Sequence, residues 1–176
     1  MAEVPAPRRR RALRSDAVAN REALLVTAAR IVRDRGPAVP LAEVAAEAGV
    51  GIGTLYRHFP DRDALLTALA VRSRDVLLEQ ARRAVADAGA AAAETVAAFL
   101  GGVAARRAEL LPPPADDSLI ADALDPVVRR GVEQGGLRAD ATAADVVLAA
   151  VLLARAAPGE DARRHLAIFL DGLRAP

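Results

Sequence analysis

The chain contains no cysteine, which excludes a disulfide framework and thiol chemistry. It has no lysine either: all 24 basic residues are arginine. With alanine so abundant, this is read as the mark of a GC-rich genome rather than of a function. Tryptophan is missing, and the aromatic residues are Tyr56, Phe59, Phe99 and Phe169 alone. The histidines are His58 and His165. His165 has Asp161 near it, but no serine nucleophile or metal-ligand spacing accompanies the pair, so it is read as a helix-surface residue. No catalytic residue, metal site or cofactor is assigned, and the chain is not expected to be an enzyme. The glycines at 49, 51 and 53 do not make a phosphate loop, because no strand precedes them and no lysine follows. The longest apolar run, Val146 to Ala154, is far short of the ~20 residues a membrane span requires. The N-terminal arginines lead into no apolar segment, so no signal peptide is expected. A cytoplasmic location fits best.

What is present is unevenly placed. Residues 1–62 hold 11 Arg against 7 acidic residues, a surplus of +4, while residues 63–176 hold 13 Arg against 16, a deficit of 3. A net charge of +1 thus hides a basic front and an acidic back, which suggests a polyanion-binding end.

The 176 residues are enough for one or two small domains with a real core. No stretch alternates apolar and polar residues over a strand's length, so the chain reads as all-α with about nine helices. Residues 1–18, rich in Pro, Arg and Ala, read as a flexible basic arm. A helix follows from about Ala19 to Arg35, with Leu24, Leu25, Ala28, Ile31 and Val32 as its buried stripe. Asp61 is a good N-cap for a long helix that reaches about Ala88. Another helix spans about Ala91 to Leu111, where Gly101-Gly102 marks a weak spot or a close approach. A break is expected between Ser118–Leu124 and a helix starting at Asp125-Pro126. Thr142 and Asp145 form a capping box for a helix to about Ala157. A last helix runs from Glu160 to about Leu173.

The most informative segment is residues 40–59, bounded by Pro60. Leu41, Val44, Ala45 and Ala48 recur at i, i+3, i+4 and i+7, which gives a short helix with one apolar face. Gly49 stands just past it, where a left-handed cap residue is needed. Ile52, Leu55 and Phe59 line one side of a second short helix and leave Gly53, Thr54, Tyr56, Arg57 and His58 on the other. Helix, glycine turn and helix outline a helix-turn-helix, which places one helix in the DNA major groove. Residues 19–66 are therefore expected to form a three-helix DNA-binding domain, and residues 67–176 a helical dimerisation and effector domain.

At these residues the chain resembles the TetR family of bacterial transcriptional regulators. The likeness lies in Ala28-Ala29-Arg30-Ile31-Val32 with Gly36, in Leu41 to Val50, in Gly53-Thr54-Leu55-Tyr56-Arg57-His58-Phe59-Pro60 and in Leu65-Leu66. It implies a homodimeric repressor released from its operator by a small effector. The resemblance also assigns Tyr56 and His58 to the phosphates flanking the groove. Arg57 suits bidentate contact with guanine, and Thr54 a phosphate or a thymine methyl. Ile52 and Gly53 hold positions that often touch bases, yet offer no hydrogen bond, so shape readout gains weight. Arg62 is expected to meet phosphate. The Arg8–Arg11 cluster with Arg14 is either a minor-groove arm or a solvated tail.

A dimer face is expected on the last two helices, with Val147, Val151, Leu166, Phe169, Leu170 and Leu173, in a four-helix bundle. The alternative is that both helices are buried within one chain. An effector pocket, if present, would use Phe99 and Val103 with Arg106 or Arg107 as a polar anchor. The expected partners are an inverted-repeat DNA operator, a second copy of the chain and a small molecule, with no membrane. An activator of the same fold, or a helical interaction module that no longer binds DNA, are the competing readings.

Overall fold

The computed structural model describes residues 7–86, 91–111, 117–155 and 162–175, with side-chain surroundings from Arg21 onward. Among the described residues there are eight α-helices: α1 (Pro7–Arg35), α2 (Leu41–Glu47), α3 (Ile52–His58), α4 (Arg62–Ala86), α5 (Ala92–Arg106), α6 (Ser118–Glu133), α7 (Ala143–Arg155) and α8 (Ala162–Leu173). A 3-10 turn over Arg107–Glu109 follows α5. No strand occurs among them; the one extended pairing is an isolated bridge between Leu137 and Arg174.

Two expectations about helix limits are corrected. The basic arm was expected to be flexible through residue 18, but helix begins at Pro7 and runs unbroken for 29 residues; residues 1–6 lie outside the described residues. Proline is well placed at a first helical position, where its missing N–H is not needed, and the Arg/Ala run behind it has high helix propensity. The lack of apolar periodicity there spoke to burial, not to backbone conformation. The second correction concerns α6. The break expected at Asp125-Pro126 does not occur, and Pro126 sits inside one 16-residue helix. An interior proline costs about 3 kcal/mol, but Ile120, Leu124, Val127, Val128 and Gly131 are all buried on one face that crosses it. Burying several aliphatic side chains, each worth about 1.5–3 kcal/mol, outweighs that cost.

The chain forms two compact units, Met1–Ala68 and Leu69–Pro176. In the first, Leu24, Leu25, Ala28, Ile31 and Val32 of α1 are buried together with Val44 and Ala45 of α2, Leu55 of α3, and Phe59 and Leu65. Helix α2 packs against both α1 and α3. Its outer edge is tied to α1 by charge: Arg35 pairs with Glu43 at 3.4 Å and with Glu47, and Arg30 reaches Glu47 at 3.8 Å. The turn after α2 is a Schellman cap. Gly49 has φ +67°, Val50 N–H donates to Ala45 O at 3.0 Å and Gly49 N–H to Ala46 O at 3.1 Å. Only glycine adopts that φ without a steric cost. Asp61 caps α4 as expected, accepting from Ala64 N–H at 2.7 Å.

In the second unit α5 packs against α6, α7 and α8, so its apolar residues form the centre of the core. Thr142 and Asp145 close the expected capping box on α7: Thr142 N–H donates to Asp145 Oδ2 at 2.8 Å, and Asp145 N–H to Thr142 Oγ1 at 3.3 Å. Three consecutive α4 residues fasten the segment between α5 and α6. Arg72 Nη1 donates to Glu109 O at 2.9 Å, Leu111 N–H donates to Ser73 Oγ at 2.9 Å, and Arg74 Nε donates to Asp117 Oδ2 at 2.9 Å. Arg72, Ser73 and Asp117 are all buried, so each bond is made away from water, where leaving a partner unmet is expensive.

Candidate nucleic-acid interface

Helix α3 has seven residues, too few to persist alone in water. Tertiary packing holds it: Leu55 has no exposed surface and Phe59, its C-terminal cap, is 1% exposed. Those two residues, four apart, pin one edge of the helix and turn the rest outward. Gly53, Thr54, Tyr56, Arg57 and His58 are exposed in a continuous run around that free surface. Tyr56 is half exposed, at 50%, so its hydroxyl-bearing ring stands clear of the core. Ile52 is 42% exposed and does not join Leu55 and Phe59 on the buried side as expected. Cα–Cβ bonds tilt toward a helix's N-terminus, so the side chain of this first residue points past the start of the helix. Gly51, the N-cap, supplies no side-chain bond.

Arg62, the first residue of α4, is also exposed. Arg14 falls within α1, and its side chain lies outside the described surroundings. One contact was not anticipated. The Arg21 guanidinium lies over the Phe59 ring, 5.4 Å from its centroid, while the His58 and Phe59 rings are tilted at 48° with centroids 6.1 Å apart. The signal was in the sequence: Arg21 continues the stripe of Leu25, Ala28 and Val32 at i, i+4, i+7 and i+11, so it lies on the packed side of α1.

The expected sites of the second unit need correction. Val147 and Val151 are buried in the unit's own core and present no face to a partner. Leu166, Phe169, Leu170 and Leu173 are only partly buried and pack against that core. On α7 and α8 the exposed large apolar residues are instead Leu148 at 46%, Leu152 at 45% and Ile168 at 56%; Val71 of α4 and Leu119 of α6 are exposed elsewhere on the unit. Leu148, Leu152 and Ile168, with Phe169, Gly172 and Leu173, line an open depression of about 210 Å³ along α7 and α8. The phase of α7 was hard to read because nearly every position is apolar. Asp145 and Arg155 share the stripe of Leu148 and Leu152 at i, i+3, i+7 and i+10, and those charged ends mark the solvent side.

Phe99 and Val103 have no exposed surface and belong to the unit's buried core. Arg106 faces Glu109 at 3.2 Å. None of the three lines the depression along α7 and α8. A larger open groove of about 670 Å³ lies at Val132, Leu137, Arg138, Asp140, Asp171 and Arg174. Its charges pair with one another: Arg138 with Asp140 at 2.7 Å and Arg174 with Asp171 at 3.3 Å. The hydrogen bond and charge of Arg138 hold the Asp140 carboxyl below its usual range.

A short exposed helix, presented by a glycine-capped partner helix and rich in phosphate- and base-competent side chains, defines the class: a helix-turn-helix DNA-binding protein. Residues 24–69 match the family described as bacterial regulatory proteins, tetR family. The full fold is shared with a TetR transcriptional regulator from Streptomyces coelicolor, 29% identical, covering 88% of this chain and 98% of that one with TM-score 0.63. A TetR transcription regulatory protein from Mycobacterium vanbaalenii is 28% identical over 93% of this chain and 99% of its own, TM-score 0.63. The ketosteroid transcriptional regulator KstR2 of Mycobacterium tuberculosis shares the fold at 22% identity, covering 87% and 94%, TM-score 0.56. No curated protein sequence matches significantly. Residues 24–69 thus carry a TetR-family DNA-binding segment, and the whole fold is similar to that of TetR-family transcriptional regulators. The matched segment and the shared fold support a DNA-binding regulator of transcription. Among the described residues, no helix is long and apolar enough to cross a membrane.

Proposed function

We propose that the chain is a homodimeric repressor that binds an inverted-repeat operator and is released by a small effector. The observation that carries this reading is the exposed face of α3, with Tyr56, Arg57 and His58 outward while Leu55 and Phe59 hold the helix down. Tyr56 and His58 contact phosphates and fix register; these contacts carry affinity but no sequence information. Arg57 takes guanine O6 and N7, worth about 1–3 kcal/mol of discrimination. Thr54 meets a phosphate or a thymine methyl, Arg62 and Arg14 meet phosphate or groove, and Ile52 and Gly53 approach bases without hydrogen bonds. Little direct readout from the N-terminal half of α3 shifts weight to DNA shape.

One recognition helix reads too few base pairs for genomic specificity, so two copies act together on half-sites a turn or more, ~34 Å, apart. The exposed Leu148, Leu152 and Ile168 support α7 and α8 as the pairing face. In this reading the second unit also receives the effector, which reaches Phe99 and Val103 only by parting α5 from its neighbours.

The test is selection of bound duplexes from a random library, followed by band-shift titration of variants. An enriched palindrome is expected. Tyr56→Ala and His58→Ala should weaken all duplexes alike, whereas Arg57→Ala should relax preference at one base pair per half-site. No enriched sequence, or unchanged affinity for all three variants, refutes the assignment. Fusing the selected sequence upstream or downstream of a reporter promoter distinguishes repression from activation.

A further inference from the structure

We infer that Arg21 is a further phosphate-contacting residue of the DNA-binding unit, held ready on the ring of Phe59. This rests on the reading of α3 as the recognition helix. The geometry starts with Phe59, which ends α3 and is 1% exposed. Arg21 is exposed and places its guanidinium 5.4 Å from the centre of that ring. The ring's negative face attracts the cation. A planar guanidinium lying on an aromatic face keeps its N–H donors in its own plane, free at the edges. The contact favours this position of the side chain without using up its hydrogen bonds.

Its neighbours decide what those donors meet. His58 precedes Phe59 in the chain, its ring 6.1 Å from the Phe59 ring, and Arg62 begins α4 three residues on. Arg21 thus stands at the C-terminal end of α3, beside the groups that grip the DNA backbone in the proposed function. Arg30 and Arg35 of the same helix are differently employed: they are turned to the carboxylates of Glu43 and Glu47. A long flexible side chain loses rotamer freedom when it binds. Here the ring contact already restricts that freedom, so a phosphate captured by Arg21 is bound at lower entropic cost. The contact is blind to sequence and acts through counterion release.

The salt dependence of binding tests this. Each phosphate neutralised contributes about 0.9 to the slope of log K against log salt concentration. Two copies of Arg21 in a dimer then account for about 1.8 of the slope, or roughly a thirty-fold loss of affinity at 0.15 M salt. Wild type, Arg21→Gln and Arg21→Lys are titrated by band shift on the selected palindrome and on a shuffled duplex of equal length, with circular dichroism as the check on folding. The inference expects Arg21→Gln to flatten the slope by about 1.8 on both duplexes, and Arg21→Lys to keep the slope while binding more weakly. An unchanged slope for Arg21→Gln overturns it, even if affinity falls, because the residue then serves only to seat Phe59. Should Arg21→Gln unfold, Arg21→Met retains the aliphatic stem on the ring and reads the same slope. If wild type itself binds neither duplex, the proposed function fails and this inference fails with it; a binding wild type with an unaltered Arg21→Gln slope removes the inference alone.

Discussion

Replacing Gly131 with alanine should destabilise the second unit, although the same change at another helical glycine should do the reverse. Gly131 lies on the buried face of α6. A Cβ placed there would stand 2.6 Å from Leu137 Cδ1, 2.8 Å from Leu137 Cγ and 3.0 Å from the Ala92 Cβ. Leu137 cannot simply swing away. It is 3% exposed, and its own N–H donates to Gly131 O at 3.0 Å, as does Gly136 N–H at 2.9 Å. The residue being enlarged is thus hydrogen-bonded to the residue it would strike. Overpacking of this kind costs about 1–3 kcal/mol, while alanine recovers about 0.8–1.0 kcal/mol of helix propensity. The net effect is a loss of about 1 kcal/mol, or about 2–4 °C in melting temperature. Gly101 is the internal control. A Cβ there meets only Leu166 Cδ2, at 3.9 Å, an ordinary contact, so Gly101→Ala should gain up to about 1 kcal/mol. Urea unfolding followed at 222 nm, at one fixed protein concentration because any self-association makes stability depend on it, measures both. Equal stabilisation by the two substitutions would refute the argument that Leu137 is pinned.

Three further outcomes are expected. Arg74→Ala leaves the Asp117 carboxylate, 4% exposed, without its partner; because Arg74 is 43% exposed, the loss should be about 1–2 kcal/mol, below the ~3–5 of a fully buried pair, and the double variant with Asp117→Ala should recover part of it in a denaturation cycle. Gly49→Ala forces a Cβ into φ +67° and should cost about 1–2 kcal/mol by thermal melting, with weaker DNA binding as the turn before α3 readjusts. Leu148→Glu combined with Ile168→Glu should yield a folded monomer by light scattering at micromolar concentration, since both side chains are exposed and neither supports the core; a persistent dimer would place the pairing face elsewhere.

The helix-turn-helix was legible because short-range chemistry specifies it. Gly49 has to take a positive φ, Asp61 has to cap α4, and the apolar residues of α2 have to fall on one face. Each is decided within four or five residues. The errors arose where distant packing decides. Pro126 breaks a helix in isolation, yet a continuous buried face carries α6 through it. Val147 and Leu148 are equally apolar neighbours, and only the packing of α7 against α5 determines which turns inward. Phe99 and Val103 were plausible pocket residues by type, but nothing in their local sequence reveals whether the space beside them is empty. Ile52 fits an apolar stripe by spacing, while its place at the helix start turns it outward.

The continuity of α1 has a consequence for how this protein meets its DNA. Residues 21–68 contain six arginines and six acidic residues, so the recognition unit's positive surplus comes from residues 1–20, with five arginines against two acids. On a helix rising 1.5 Å per residue, Arg8 to Arg11 lie about 15–20 Å along the axis from Arg21. That is about two Debye lengths of ~8 Å at physiological salt. At Arg21 the cluster therefore has most of its field screened out. It acts instead as a separate electrostatic antenna, enlarging the distance at which a duplex is captured. Removing it should slow association and leave the lifetime of the bound complex nearly unchanged, so that the start of α1 helps to find the DNA while α3 reads it.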